Sequence, residues 1–137
     1  MLLLTRTTLS PDYLICIIDA LVGAFPQAST KVYQHTPAEK LANSLTLIIE
    51  PEGEPWLRVS LLPGDNDFSL DGSLSQNYQA MIAIRDALPD AGPMIAVVPE
   101  QLMYVDVISG MTVEDFPQDF ELDHGWKSVE ELDDFWQ

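Results

Sequence analysis

The side chains with the widest chemical range here are two histidines, His35 and His124, one cysteine, Cys16, and the stretch Asp65-Asn66-Asp67-Phe68-Ser69-Leu70-Asp71-Gly72. A zinc site or a histidine-based catalytic pair needs a second ligand at helical spacing, and neither histidine has one. Each lies in a polar segment and reads as an exposed histidine. Cys16 sits in the run Leu14-Ile15-Cys16-Ile17-Ile18. A nucleophilic thiolate needs a nearby base and an electropositive, partly open setting, so the aliphatic neighbours mark a structural thiol. One cysteine also rules out an intrachain disulfide or a cysteine-based zinc cluster and is compatible with a reducing compartment.

The acidic stretch is the nearest approach to a metal loop, because calcium takes oxygen ligands from alternate residues. With Asp67 as position one, Ser69, Asp71 and Gly72 fit positions three, five and six. Position twelve is then Tyr78, where a bidentate glutamate is required. Starting at Asp65 puts Leu70 where glycine is needed and Gln76 where glutamate is needed. The stretch therefore reads as a solvated acidic loop with an Asp-Gly turn, and no metal or cofactor is expected. GxGxxG, GxxxxGK[ST] and GxSxG are all absent, so phosphate cradles and nucleophile elbows have no foothold.

Charge is more informative than any motif. The chain of 137 residues carries 22 Asp+Glu against 6 Lys+Arg, a formal net charge of −16. Such a surface repels DNA, RNA and anionic lipid and attracts basic proteins. Hydrophobic content of 47% means that the charge sits on a folded object and not on an acidic disordered chain. The densest part is residues 111–137, where Glu114, Asp115, Asp119, Glu121, Asp123, Glu130, Glu131, Asp133 and Asp134 are answered by Lys127 alone. Phe116, Phe120, Trp126, Phe135 and Trp136 are interleaved with these acids. Aromatic anchors ringed by charge suit a protein interface, and they equally suit packing of the segment onto its own core.

The elements that must position these residues follow from spacing. Ser10-Pro11-Asp12 reads as an N-cap, a first-turn proline and a dipole-compensating acid. Leu14, Ile17, Ile18, Leu21, Val22 and Phe25 then fall at helical intervals up to Pro26. Residues 30–35 suit an edge strand. Residues 44–50 and 57–61 suit a hairpin around the proline-rich turn Glu50-Pro51-Glu52-Gly53-Glu54-Pro55. A polar loop over 63–75 leads to a second helix carrying Tyr78, Met81, Ile82, Arg85 and Leu88, stopped by Pro89. Residues 94–98 form a continuous apolar run for a central strand, with 102–108 as its partner. Ser128-Val129-Glu130-Glu131 has the capping-box pattern of a short terminal helix. The expectation is one α+β domain over 1–137: a core of 1–110 with a mainly antiparallel sheet of four to five strands and two helices on one side, then an acidic segment, 111–137, ending in a short helix.

The start, Met1-Leu2-Leu3-Leu4-Thr5-Arg6, reverses the basic-then-apolar order of a signal peptide, and the longest apolar stretch, 13–25, is too short for a membrane span, so a cytoplasmic location is expected. In size, charge and lack of catalytic motif the chain resembles, as a class, bacterial immunity proteins and antitoxins. That resemblance implies a non-enzymatic inhibitor that neutralises a basic, nuclease-like toxin by occluding its active site. The order of elements is also similar to class I type III secretion chaperones, which are small, acidic and cytoplasmic and hold a partner's extended segment. Those proteins generally end in a longer helix than this chain offers. A small-molecule-binding domain or enzyme is the third reading. The residues expected to meet a basic partner are Glu114, Asp115, Asp119, Glu121, Asp123, Trp126, Glu130, Glu131, Asp133, Asp134 and Trp136, and then Asp65, Asp67 and Asp71. Nucleic acid and membrane are not expected as partners.

Overall fold

The computed structural model describes residues 1–6, 12–35, 44–61 and 67–132. The Ser10-Pro11 cap, Asp65, Asp133, Asp134, Phe135, Trp136 and the His35 side chain lie outside the described residues. The elements run β1 (Leu2–Thr5), α1 (Tyr13–Ala24), β2 (Ala28–His35), β3 (Ser44–Pro51), β4 (Leu57–Leu61), β5 (Asp67–Asp71), α2 (Leu74–Ala87), β6 (Met94–Val98), β7 (Met103–Val107) and β8 (Lys127–Ser128). All eight strands form one antiparallel sheet in the order β2-β3-β4-β5-β1-β6-β7-β8. The domain is α+β as expected, but the eight strands among the described residues exceed the expected four to five.

The three additional strands have separate physical causes. β1 lies between β5 and β6, with Leu3 opposite both Phe68 and Ala96. Apolar neighbours on both faces produce a Leu-Leu-Leu run without the alternation that marks a half-buried strand. β5 occupies the acidic stretch, where Phe68 and Leu70 are buried and Asp67, Ser69 and Asp71 point the other way. β8 has only two residues, too few for any pattern.

α1 and α2 lie on one side of the sheet. Leu14, Ile17 and Leu21 of α1 and Tyr78, Ala80, Met81 and Ile84 of α2 share a core with Leu45, Leu47, Ile49, Leu57, Val59, Phe68 and Leu70. α2 starts with a reciprocal cap: Ser73 Oγ accepts from the Gln76 amide at 3.2 Å, and Gln76 Oε1 accepts from the Ser73 amide at 2.9 Å. Gln76 Nε2 also donates to the Pro55 carbonyl at 2.6 Å, tying the helix to the β3–β4 turn. A side chain at Gly72 would stand 2.8 Å from Leu57 Cδ1 and 2.9 Å from Gln76 Oε1, so any larger residue would have to push these two side chains back. On the opposite side of the sheet Ile95, Val97 and Tyr104 form a smaller cluster with Leu2, Leu4, Val129 and Leu132.

Two local expectations are corrected. The apolar run of α1 has more hydrophobic positions than its buried face can hold. Ile15 is 69% exposed and Cys16 is exposed beside it, so the thiol is not a core group. Among the described residues, Ser128-Val129-Glu130-Glu131 forms one 3₁₀ turn, Val129–Glu131, in which Ser128 Oγ accepts from the Glu130 amide at 3.3 Å. Lys127 and Ser128 pair with β7 as β8, and residues 133–137, the rest of the expected helix, lie outside the described residues. No helix among the described residues is long and apolar enough to cross a membrane.

Candidate functional site

The acids of residues 114–123 lie in one loop packed on the helix side, and the aromatics between them explain how. Phe116 is buried and stacks on Tyr78 of α2, with ring centroids 4.3 Å apart and planes inclined by 13°. The fully buried Tyr78 hydroxyl donates to the Pro117 carbonyl at 2.7 Å. Burial pushes the Tyr78 hydroxyl well above the usual tyrosine range, and the nearby Asp119 charge adds to the shift. Trp126, only 4% exposed, donates its indole Nε1 to the Asp119 carbonyl at 2.7 Å. Its ring also lies 6.2 Å from that of Phe120. The segment is thus closed at both ends of a loop, and β8 stitches its exit onto β7, with Val129 N donating to Leu102 O at 3.0 Å.

Asp119 organises the loop between these anchors. Its Oδ2 meets His124 Nδ1 at 2.8 Å, and its Oδ1 accepts from the Glu121 amide at 3.0 Å. These two bonds, the histidine's first, hold the Asp119 carboxyl below its ordinary value. The same Asp119 bond holds the His124 ring above its own ordinary value. Both groups are solvent-exposed, so their pairing shapes the loop more than it stabilises the fold. Gly125, at φ 112°, makes the turn back to Trp126 in a conformation that L side chains rarely adopt. Asp115 closes a tight turn by accepting from the Thr112 amide at 2.8 Å.

What this framework leaves in solvent is acidic. Glu114, Asp115, Asp119, Glu121, Asp123, Glu130 and Glu131 are all exposed. Lys127 is the one cation of the segment, and it is engaged: Nζ lies 3.0 Å from Asp106 Oδ2 and 5.7 Å from the centre of the Tyr104 ring. Trp126 is placed inside, so its side chain faces the core and not a partner. Phe120 and Leu122, each half-exposed beside the acids, are the apolar groups that the loop presents instead. Sequence spacing could not separate Phe120 from Trp126, because a backbone carbonyl brought round by the loop decides which ring is buried.

The second acidic group divides differently. Asp67 and Asp71 lie on the sheet face away from the helices, opposite Leu4 and Arg58 respectively. Their carboxylates are spread along an extended strand and do not converge on a point. Among the described residues, no group of three or more His, Cys, Asp or Glu is arranged to hold a metal ion. The larger described cavity is an open groove of about 500 Å³ between α1 and α2, lined by Ala20, Ala24, Gln79, Ile82, Ala83, Asp86 and Ala87. Asp86, its only ionisable group, accepts from the Gly110 amide at 3.2 Å.

The chain matches no protein-family model, no curated protein and no solved structure.

Proposed function

We propose that this chain is a non-enzymatic binding protein whose acidic end neutralises a basic, nuclease-like protein by occluding its active site, in the manner of immunity proteins and antitoxins. The observation that supports this reading is the pairing of five exposed carboxylates, on residues 114–123, with a loop fixed on the helix side by Phe116 and Trp126, while Glu130 and Glu131 follow β8 between Val129 and Leu132, which pack on the other face. A surface held in place before binding loses less conformational entropy on association than a flexible acidic tail does. Clustered charge of one sign also steers an oppositely charged partner and raises its association rate. Phe120 and Leu122 supply apolar contact inside the charged rim. Asp67 and Asp71 would serve as a secondary contact, while Asp65, Asp133, Asp134 and Trp136 lie outside the described residues.

The test is affinity capture with the tagged protein, followed by kinetics on the partner recovered. A basic protein whose activity is blocked, and whose association slows steeply with added salt, supports the proposal. Capture of no basic protein, or association indifferent to salt, overturns it.

A second reading, an acidic secretion chaperone, draws support from the open apolar groove between α1 and α2, which could hold an extended or helical effector segment. Blocking the groove with Ala83→Arg would then abolish effector binding, whereas the first reading leaves inhibition by the acidic end unchanged.

A further inference from the structure

Strand β2 is the first strand of the sheet, and among the described residues nothing pairs with its outer edge. Its inner edge runs against β3 in an unbroken register from Ala28 opposite Pro51 to His35 opposite Ser44, without a bulge. The strand contains no proline and one charged residue, Lys31. Proteins normally blunt such an edge with a bulge, a proline, a short strand or charged side chains, lysine above all, because its free N–H and C=O groups template further pairing; the one lysine here, Lys31, is drawn to Glu50 of β3. Here Val32 and Tyr33 remain 43% and 45% exposed on it. Helix α1 turns into β2 through Phe25-Pro26-Gln27 alone, and near that turn it exposes a further apolar side chain, Val22.

Charge indicates what covers this edge. The acidic loop packs on α2 through Phe116 and leads into β8, which stands at the opposite end of the strand order from β2. Residues 26–51, which contain β2 and β3, hold Lys31 and Lys40 against Glu39 and Glu50, a local balance of zero in a chain whose net charge is −16. Two copies that meet edge to edge at β2 therefore put a locally neutral hairpin at the contact, where repulsion, screened over about 8 Å at physiological salt, is least.

We infer that β2 is a self-association edge, on which a second copy of this chain adds its own β2 antiparallel, extending the two sheets into one. Side-chain direction selects the register. Lys31 and Tyr33 point away from the helices, as the 3.3 Å pair of Lys31 with Glu50 requires, while Val32 points to the helix side opposite Leu47. A two-fold axis at Lys31 would oppose two lysines. An axis at Val32 instead places valine against valine and each Lys31 beside the other copy's Tyr33, a favourable cation–aromatic pair. The arrangement leaves both acidic ends outermost and open, so it does not depend on what they bind.

Sedimentation velocity of the full chain from micromolar to millimolar concentration tests this, with Val32→Asp as the disrupting variant and circular dichroism as the check on folding. The expected result is a concentration-dependent dimer, weakened at least about tenfold by Val32→Asp because two carboxylates then face each other across the axis. Oxidative cross-linking on a Cys16→Ser background gives an independent readout that does not require Val32→Asp to fold. Val32→Cys should form an intermolecular disulfide, and Ser69→Cys, three strands away, should not. A monomer at every concentration, a dimer indifferent to Val32→Asp, or equal cross-linking at both positions overturns the inference.

Discussion

Replacing Tyr78 by phenylalanine isolates the bond that fastens the acidic loop to the helical core. The ring is fully buried and stacked on Phe116, so Tyr78→Phe keeps the packing and removes one hydroxyl. The lost donor bond is 2.7 Å long, and its acceptor, the Pro117 carbonyl, belongs to a buried residue. An unsatisfied buried acceptor costs about 1–3 kcal/mol, so we take about 2 kcal/mol as the expected destabilisation. For a domain of this length each kcal/mol shifts Tm by roughly 3–5 °C, which predicts a fall of roughly 6–10 °C. Urea unfolding should give the same loss at unchanged m-value, and hydrogen exchange should quicken first in residues 112–126. The alkaline limb gives a second readout. In the folded chain Tyr78 stays protonated above its ordinary value near 10, while the unfolded chain ionises there, so stability falls as pH rises past 10. Tyr78→Phe should remove part of that fall. A loss below about 0.5 kcal/mol with an unchanged alkaline limb would refute the claim that this hydroxyl holds the loop.

The remaining predictions concern charge and topology. Neutralising Glu114 with Glu121, or Glu130 with Glu131, to glutamine should slow association with a basic partner several-fold at low salt while leaving Tm nearly unchanged, because exposed charge acts mainly through steering; stopped-flow rates against ionic strength check this. Asp67→Asn with Asp71→Asn should have a smaller effect in the same assay. The raised His124 favours the folded loop below the unfolded histidine value of 6.5, and that contribution is lost as pH rises through its folded value. The lowered Asp119 contributes above the ordinary aspartate value of 3.8 and loses its contribution as pH falls through its folded value. Loop order should therefore peak between these two limits, and His124→Gln should flatten the profile seen by NMR. Leu3→Ala, at a fully buried position of β1, should cost about 2–5 kcal/mol and broaden or abolish the thermal transition.

Where local pattern and tertiary environment agree, the fold is legible from the residues. Both helices follow from three- and four-residue spacing, and the strands at 44–51, 57–61, 94–98 and 103–107 from alternation or short apolar runs bounded by turns. β1 and β5 escaped notice for opposite reasons. β1 is too uniformly apolar to show a period, and β5 presents enough acids on its solvent face to resemble a loop. Both are specified by their partners: β5 by β4 and β1, and β1 by β5 and β6, contacts far apart in sequence.

The candidate site divides in the same way. Composition and charge density by themselves determined that residues 111–131 are strongly acidic, and therefore which partners that surface attracts or repels. Only the tertiary structure decided that Trp126 faces inward while Phe120 stays half-exposed, and that β2 and β8, into which the acidic loop leads, lie at opposite edges of one sheet. Charge is a sum over residues and needs no fold to be counted. Burial and separation depend on which distant carbonyls, rings and strands the folded chain brings into contact.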